Sequence, residues 1–194
     1  MPGFPLTAWA LHHPWGAHAD AVLDRLREPL PPPVAPPSPA AALASALLDE
    51  LAEACARACA RWGSSRVAMI FGSGAPTEDD SLDRMSTMLA LGRATTRIAG
   101  PAYHVAATGV GGAKALASAE RLLRASLVDA VLVGGADDGC AAMLLVERHG
   151  DAFVELRASA EASGTTDLER FDDAAAERVV TAAWAANGRP PLGY

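Results

Sequence analysis

Residues 100–137 read GPAYHVAATGVGGAKALASAERLLRASLVDAVLVGGAD, and the fold is decided here. Gly100-Pro101 is a turn. Tyr103–Ala107 has the β-branched and aromatic content of a short strand, and Gly111–Ala125 is a run of small residues suited to a close-packed helix. Val131–Val133 is a buried-type strand that runs into Gly134-Gly135-Ala136-Asp137. Strand, helix and strand in this order, with short connections, predict an α/β protein.

This stretch resembles the nucleophile region of the β-ketoacyl synthases, in the thiolase-like superfamily. In that family a Gly-Pro turn leads into a strand ending in a Cys at a tight elbow. A small-residue helix follows, then an apolar strand closing on Gly-Gly-Ala and an acidic residue. Counted from Gly100-Pro101, the position of the Cys holds Gly109, which has no side chain to attack a thioester. The resemblance implies a mixed, mostly parallel sheet with helices on both faces, equivalent to one thiolase-like half. It implies structural roles at the elbow for Gly100, Pro101, Gly111, Gly112, Gly134 and Gly135. It also implies dimerisation through the strand before the nucleophile, here Tyr103, His104, Val105 and Ala106.

Ketosynthase chemistry needs a thiolate activated at a helix N-terminus, a pair of histidines for decarboxylation, and backbone N–H groups as an oxyanion hole. The thiolate is missing at Gly109, and the chain stops at Tyr194, before the region that carries the histidines in the family. Thr108 adjoins the elbow, and His104 lies four residues earlier on the same strand face. That spacing separates them by about 13 Å of strand rise, too far for a direct hydrogen bond. The residues therefore assign no catalytic group, with Thr108 and His104 the weak candidates. No cofactor and no metal site are expected.

Composition narrows the function classes. At 194 residues the chain fits a single domain over 1–194, and such a domain buries roughly 70% of its unfolded surface. The net charge of −7 excludes a phosphate-neutralising nucleic-acid binder. Lys114 is the lone lysine among 16 basic residues, a bias that reflects genome composition more than function. Apolar runs fall short of the ~20 residues of a membrane span, and no basic region precedes the apolar N-terminus. A cytoplasmic protein is expected. Cys55, Cys59 and Cys140 form no disulfide framework, and the i, i+4 pair has no second ligand pair at zinc spacing. Cys55 and Cys59 are read as small core or boundary residues of an Ala-rich helix, and all three cysteines as lying outside the elbow.

Leu6–Leu11 reads as a first strand and Asp20–Leu26 as a short helix. The proline-dense segment 29–39, PLPPPVAPPSP, forms neither helix nor ladder; a connector over the surface is favoured over an SH3-type ligand. Ser38-Pro39 starts a helix that runs to Trp62 with Leu43, Leu47, Leu51, Ala54 and Ala58 as its apolar stripe, and Gly63 ends it. Val67–Phe71 is a strand, Ser81–Leu91 a helix, Ala141–Glu147 and Phe153–Ala158 strands, and Phe171–Asn187 an amphipathic helix. Gly109-Val110-Gly111-Gly112 with Lys114 fits neither phosphate-loop nor dinucleotide spacing, so close backbone packing is the better account.

The expectation that follows is a non-catalytic, ketosynthase-like protein. It pairs with itself, or with an active ketosynthase, in fatty-acid, polyketide or polyene-pigment biosynthesis, as chain-length factors do. The overall appearance is similar to proteins of bacterial aryl-polyene clusters. The alternatives are a residual malonyl-thioester decarboxylase or acyltransferase, or an acyl-carrier-protein binding module using Arg93, Arg97, Arg121 and Arg124.

Overall fold

The structure is a computed structural model that describes residues 3–13, 21, 24, 40–73, 81–107, 110–137, 139–152, 154–160 and 173–186. Thr108, Gly109, the 29–39 connector and most of the helix expected over Asp20–Leu26 lie outside the described residues. The elements are β1 (Phe4–His12), α1 (Ala40–Trp62), β2 (Val67–Ser73), α2 (Ser81–Thr96), β3 (Ala102–Ala106), α3 (Gly111–Arg124), β4 (Ala130–Asp137), β5 (Cys140–Glu147), β6 (Val154–Leu156) and α4 (Asp173–Ala186).

The strands make a 6-stranded sheet in the order β3-β2-β4-β5-β1-β6. Its β3-β2-β4 side is parallel, because α2 and α3 carry the chain back between these strands. The other side is antiparallel throughout. The sheet is mixed as expected, but its parallel pairings are the minority rather than the majority. The physical reason is local: Gly139, at φ 91, turns the chain directly from β4 into β5, leaving no room for a crossover helix.

Each face of the sheet is covered by a helical layer. On one face α1 presents Leu43, Leu47, Leu48, Leu51, Cys55 and Ala58 to Met69, Phe71, Leu132, Met143 and Leu145. Met88, Leu89 and Leu91 of α2 pack against the same cluster. The stripe expected on α1 is the buried one, and Gly63 at φ 87 ends the helix, donating its N–H to Cys59 O at 2.9 Å. On the opposite face α3 presents Ala115, Ala119 and Leu123 to Ala68, Ile70, Val131, Val133 and Val146. Strand β1 changes its inward set along its length: Phe4 and Leu6 belong with the α3 cluster, Ala8 and Ala10 with the α1 cluster. A register shift between Leu6 and Ala8 makes the change.

Polar ties hold the sheet ends. Asp129 accepts from Arg66 Nε and Arg148 Nε, both at 2.7 Å, while Arg148 Nη2 also donates to Leu123 O and Val128 O. The buried Glu147 accepts from Trp62 Nε1 at 2.6 Å and Thr7 Oγ1 at 2.7 Å, joining the end of α1 to β1 and β5. With those donors in place it is a satisfied structural carboxylate.

Candidate functional site

Strand β3 leads into the elbow and α3 leaves it. Their geometry is set by close backbone approach. A Cβ on Gly72 would overlap Gly111 O, one on Gly111 would overlap Ser73 O, and one on Gly135 would overlap Gly72 O. These three glycines let the carboxyl ends of β2 and β4 sit against the first turn of α3 with no side chain between them. Gly100 and Gly134 meet backbone in the same way, at Val67 O and Ala142 O, whereas a Cβ on Gly112 would meet nothing within 4 Å. Gly134-Gly135 lies inside β4, which continues to Asp137, rather than in a turn.

The first turn of α3 opens on a cavity of about 500 Å³ lined by Leu11, Leu116, Val133, Leu144, Cys140 and the glycines Gly72, Gly111, Gly112, Gly134 and Gly135. Val110 caps the helix without a side-chain bond, so the first N–H groups of α3 take no bond from the cap side chain. The walls are mostly apolar, with His13 and Ser73 the polar side chains among them. Cys140 is exposed at the start of β5, opposite Asp137 across the hairpin. Sequence reasoning placed Cys140 outside the elbow, whereas the structure sets it in the wall of this cavity; only its place just after Gly-Gly-Ala-Asp-Asp-Gly pointed there.

The structure separates His104, one of the two weak catalytic candidates, from the cavity. His104 pairs with Phe71, whose side chain is in the α1 cluster, so the imidazole lies on the α1/α2 face of the sheet. Tyr103 and Val105 alternate to the other face and pack on the α3 cluster. His104 is absent from the cavity lining. Its Nδ1 is buried without a hydrogen-bond partner, and burial lowers its pKa from the ordinary histidine value. Thr108 lies outside the described residues. Burial, then Cys59 and Glu147, push the Cys55 thiol up to about 12, and burial also raises Cys59. Neither is poised as a nucleophile.

The arginines considered for a carrier protein do not form one patch. Arg93 belongs to α2 and Arg121 and Arg124 to α3, on opposite faces of the sheet. Arg93 Nη2 is spent on Gly100 O at 3.1 Å. Arg124 is spent on Glu120, Arg157 O and the Phe4 ring. Among the described residues no cluster of His, Cys, Asp and Glu could hold a metal ion, and no helix is long and apolar enough to cross a membrane.

No family model matches the sequence, and no curated protein does. Solved structures do match. A ketosynthase in complex with its chain length factor from Xenorhabdus doucetiae aligns at 15% identity over 96% of this chain and 68% of that one, with a TM-score of 0.68. An oxazolomycin ketosynthase domain of Streptomyces albus aligns at 11% identity over 97% of this chain and 51% of that one, with a TM-score of 0.73. The ishigamide ketosynthase/chain length factor aligns at 16% identity over 97% and 74%, with a TM-score of 0.63. The fold is the thiolase-like fold of the ketosynthases. The chain spans from about half to about three quarters of the length of these three structures.

Proposed function

We propose that this ketosynthase-fold chain is a non-catalytic binding partner of the chain-length-factor type. It associates with a second copy or with an active ketosynthase in fatty-acid, polyketide or polyene-pigment biosynthesis. The observation that carries the reading is the position of β3. The strand that runs into Gly109 is the sheet edge, with no strand on its far side among the described residues. It has no proline, lysine or bulge to guard it. Glycine in place of the nucleophile and the turning of His104 away from the cavity support a binding role over a catalytic one. Two of the matched structures are of a ketosynthase with a chain length factor.

Incubation with a malonyl-loaded carrier protein tests the absence of catalysis, with acetyl product as the readout. No turnover is expected. Turnover abolished by Thr108→Ala or His104→Ala would replace the binding reading with a decarboxylase.

A further inference from the structure

The cavity at the first turn of α3 brings together a thiol and an imidazole from neighbouring strands. His12 of β1 pairs with Ala141 of β5, so the next position along each strand sets His13 across from Cys140. Directly opposed residues on one face carry Cβ atoms about 4.5–5.5 Å apart, within reach of a hydrogen bond between imidazole and thiol. Leu11 and Ala142 oppose each other one pleat earlier, and all four residues line the same cavity. Alternation along the strands therefore turns the His13–Cys140 pair toward it. Cys140 is exposed, whereas Cys55 is buried and Cys59 half-buried. Among the described residues the lining holds no Asp, Glu, Lys or Arg, and Leu11, Leu116, Val133 and Leu144 supply its bulk. At about 500 Å³ the space falls in the range of small-molecule sites.

We infer that Cys140 is an acyl acceptor: it takes an uncharged, apolar acyl group from a thioester, with His13 as its base and the cavity holding the acyl chain. The site goes beyond the binding-partner reading and does not depend on it. The His13 imidazole takes the proton of the Cys140 S–H, and the sulfur attacks the carbonyl carbon of the donor thioester. A C–S bond to Cys140 forms, the C–S bond to the donor breaks, and the donor's thiol leaves with the proton returned by His13. One thioester replaces another, so the step needs neither oxidant nor reductant.

The lining selects the group that is transferred. Each methylene moved from water into the cavity favours capture by about fourfold. A carboxylate at the end of the acyl chain, as in a malonyl group, would lose its water there and meet no cation among the described lining residues. The thiol stands on β5, apart from β3 and the segment that joins it to α3, so this capture is separate from chemistry at Gly109.

Intact-protein mass spectrometry tests the site on the full chain. Octanoyl, acetyl and malonyl thioesters are supplied on coenzyme A in one arm and on an acyl carrier protein in the other. At least one donor should leave a single octanoyl group per chain, mapped to Cys140 and removed by neutral hydroxylamine as a thioester is. Octanoyl should add at least about tenfold faster than acetyl, and malonyl should not add. Cys140→Ser should abolish the label, and His13→Gln should slow it by at least about tenfold, with circular dichroism confirming that both variants fold. Leu116→Trp, which fills the cavity, should slow octanoyl transfer while iodoacetamide still alkylates Cys140. No octanoyl label from either donor, label at another residue, equal rates for octanoyl and malonyl, or an unchanged rate in His13→Gln would overturn the proposal. Sedimentation reads the binding-partner proposal separately. An unlabelled chain that associates leaves that reading standing and sinks the acyl site. A labelled chain that stays monomeric and takes up no ketosynthase does the reverse.

Discussion

At the scale of single residues, the elbow separates two adjacent glycines that look alike in sequence. Gly111 is buried with its Cα against Ser73 O, whereas Gly112 is exposed toward open space. Gly111→Ala must push β2 and α3 apart and should cost on the order of 1–3 kcal/mol. Gly112→Ala removes a flexible helical residue at no steric cost and should be neutral or stabilising by up to about 1 kcal/mol. Urea unfolding of the two variants measures both. Gly109→Cys places a thiol where the ketosynthases that this sequence resembles hold their nucleophile, while the cavity wall carries, among the described residues, a single histidine, His13, rather than the pair that acts with it there. Because such groups act as a unit, no condensing activity should appear in a carrier-protein assay. Asp129 offers a pH test. Hydrogen bonding to Arg66, and then to Arg148, holds its carboxyl below the usual aspartate range. The folded pKa is depressed, so the contribution is present above the unfolded value of about 3.9 and is lost as pH falls through the folded pKa. Asp129→Asn should therefore lower stability near neutrality by roughly 1–3 kcal/mol, and the gap to the unmodified protein should close in acid. Arg66 is 41% exposed, so solvent screening keeps its share of that figure small. An equal gap at pH 7 and pH 2 would mean that the charge does not matter.

At the scale of elements, the thiols report how each helix and strand is covered. Cys55 on α1 is fully buried, Cys59 half-buried, and Cys140 on β5 exposed. Iodoacetamide should label Cys140 first and Cys55 only on unfolding. Peptide mass spectrometry reads the order, and rapid, pH-independent labelling of Cys140 would mark it as an activated nucleophile. Element positions were largely legible because they rest on local signals. Leu43, Leu47 and Leu51 recur at helical spacing, Gly63 ends their helix, and Val67–Phe71 is bounded by Gly. Helix α2 runs to Thr96 rather than Leu91. The buried Thr96 hydroxyl donates to Gly92 O at 2.6 Å and so satisfies itself inside the helix. Strand β4 passes straight through Gly134-Gly135, because the missing side chains make room for Ala142 O and Gly72 O on its flanks. A turn and a close approach both call for glycine, and sequence alone does not distinguish them. The same limit applied at Cys140, since its place at the cavity mouth depends on pairing across a hairpin and on α3 from elsewhere in the chain.

At the scale of the whole molecule, the sheet has unlike ends. β6 is a three-residue edge strand, too short to invite pairing. β3 is longer, uncharged and unguarded, and stands beside the elbow. Tyr103 and Val105 pack inward on the α3 cluster, so charges there would disturb the core as well as any contact. Ala106 is exposed, and Ala106→Asp should weaken association while leaving thermal stability near that of the unmodified chain. A stable two-subunit contact needs about 1,000 Å² or more of buried surface, so the strand edge must be joined by neighbouring surface. The account's central claim is that this ketosynthase fold works by binding. Sedimentation velocity at micromolar concentration tests it most directly, on the chain alone and mixed with an active ketosynthase, with Ala106→Asp as the control. The account predicts a two-subunit species, homodimeric alone or heterodimeric with the enzyme, that the Ala106→Asp variant loses. A monomer in both experiments, with no enzyme taken up, would contradict it.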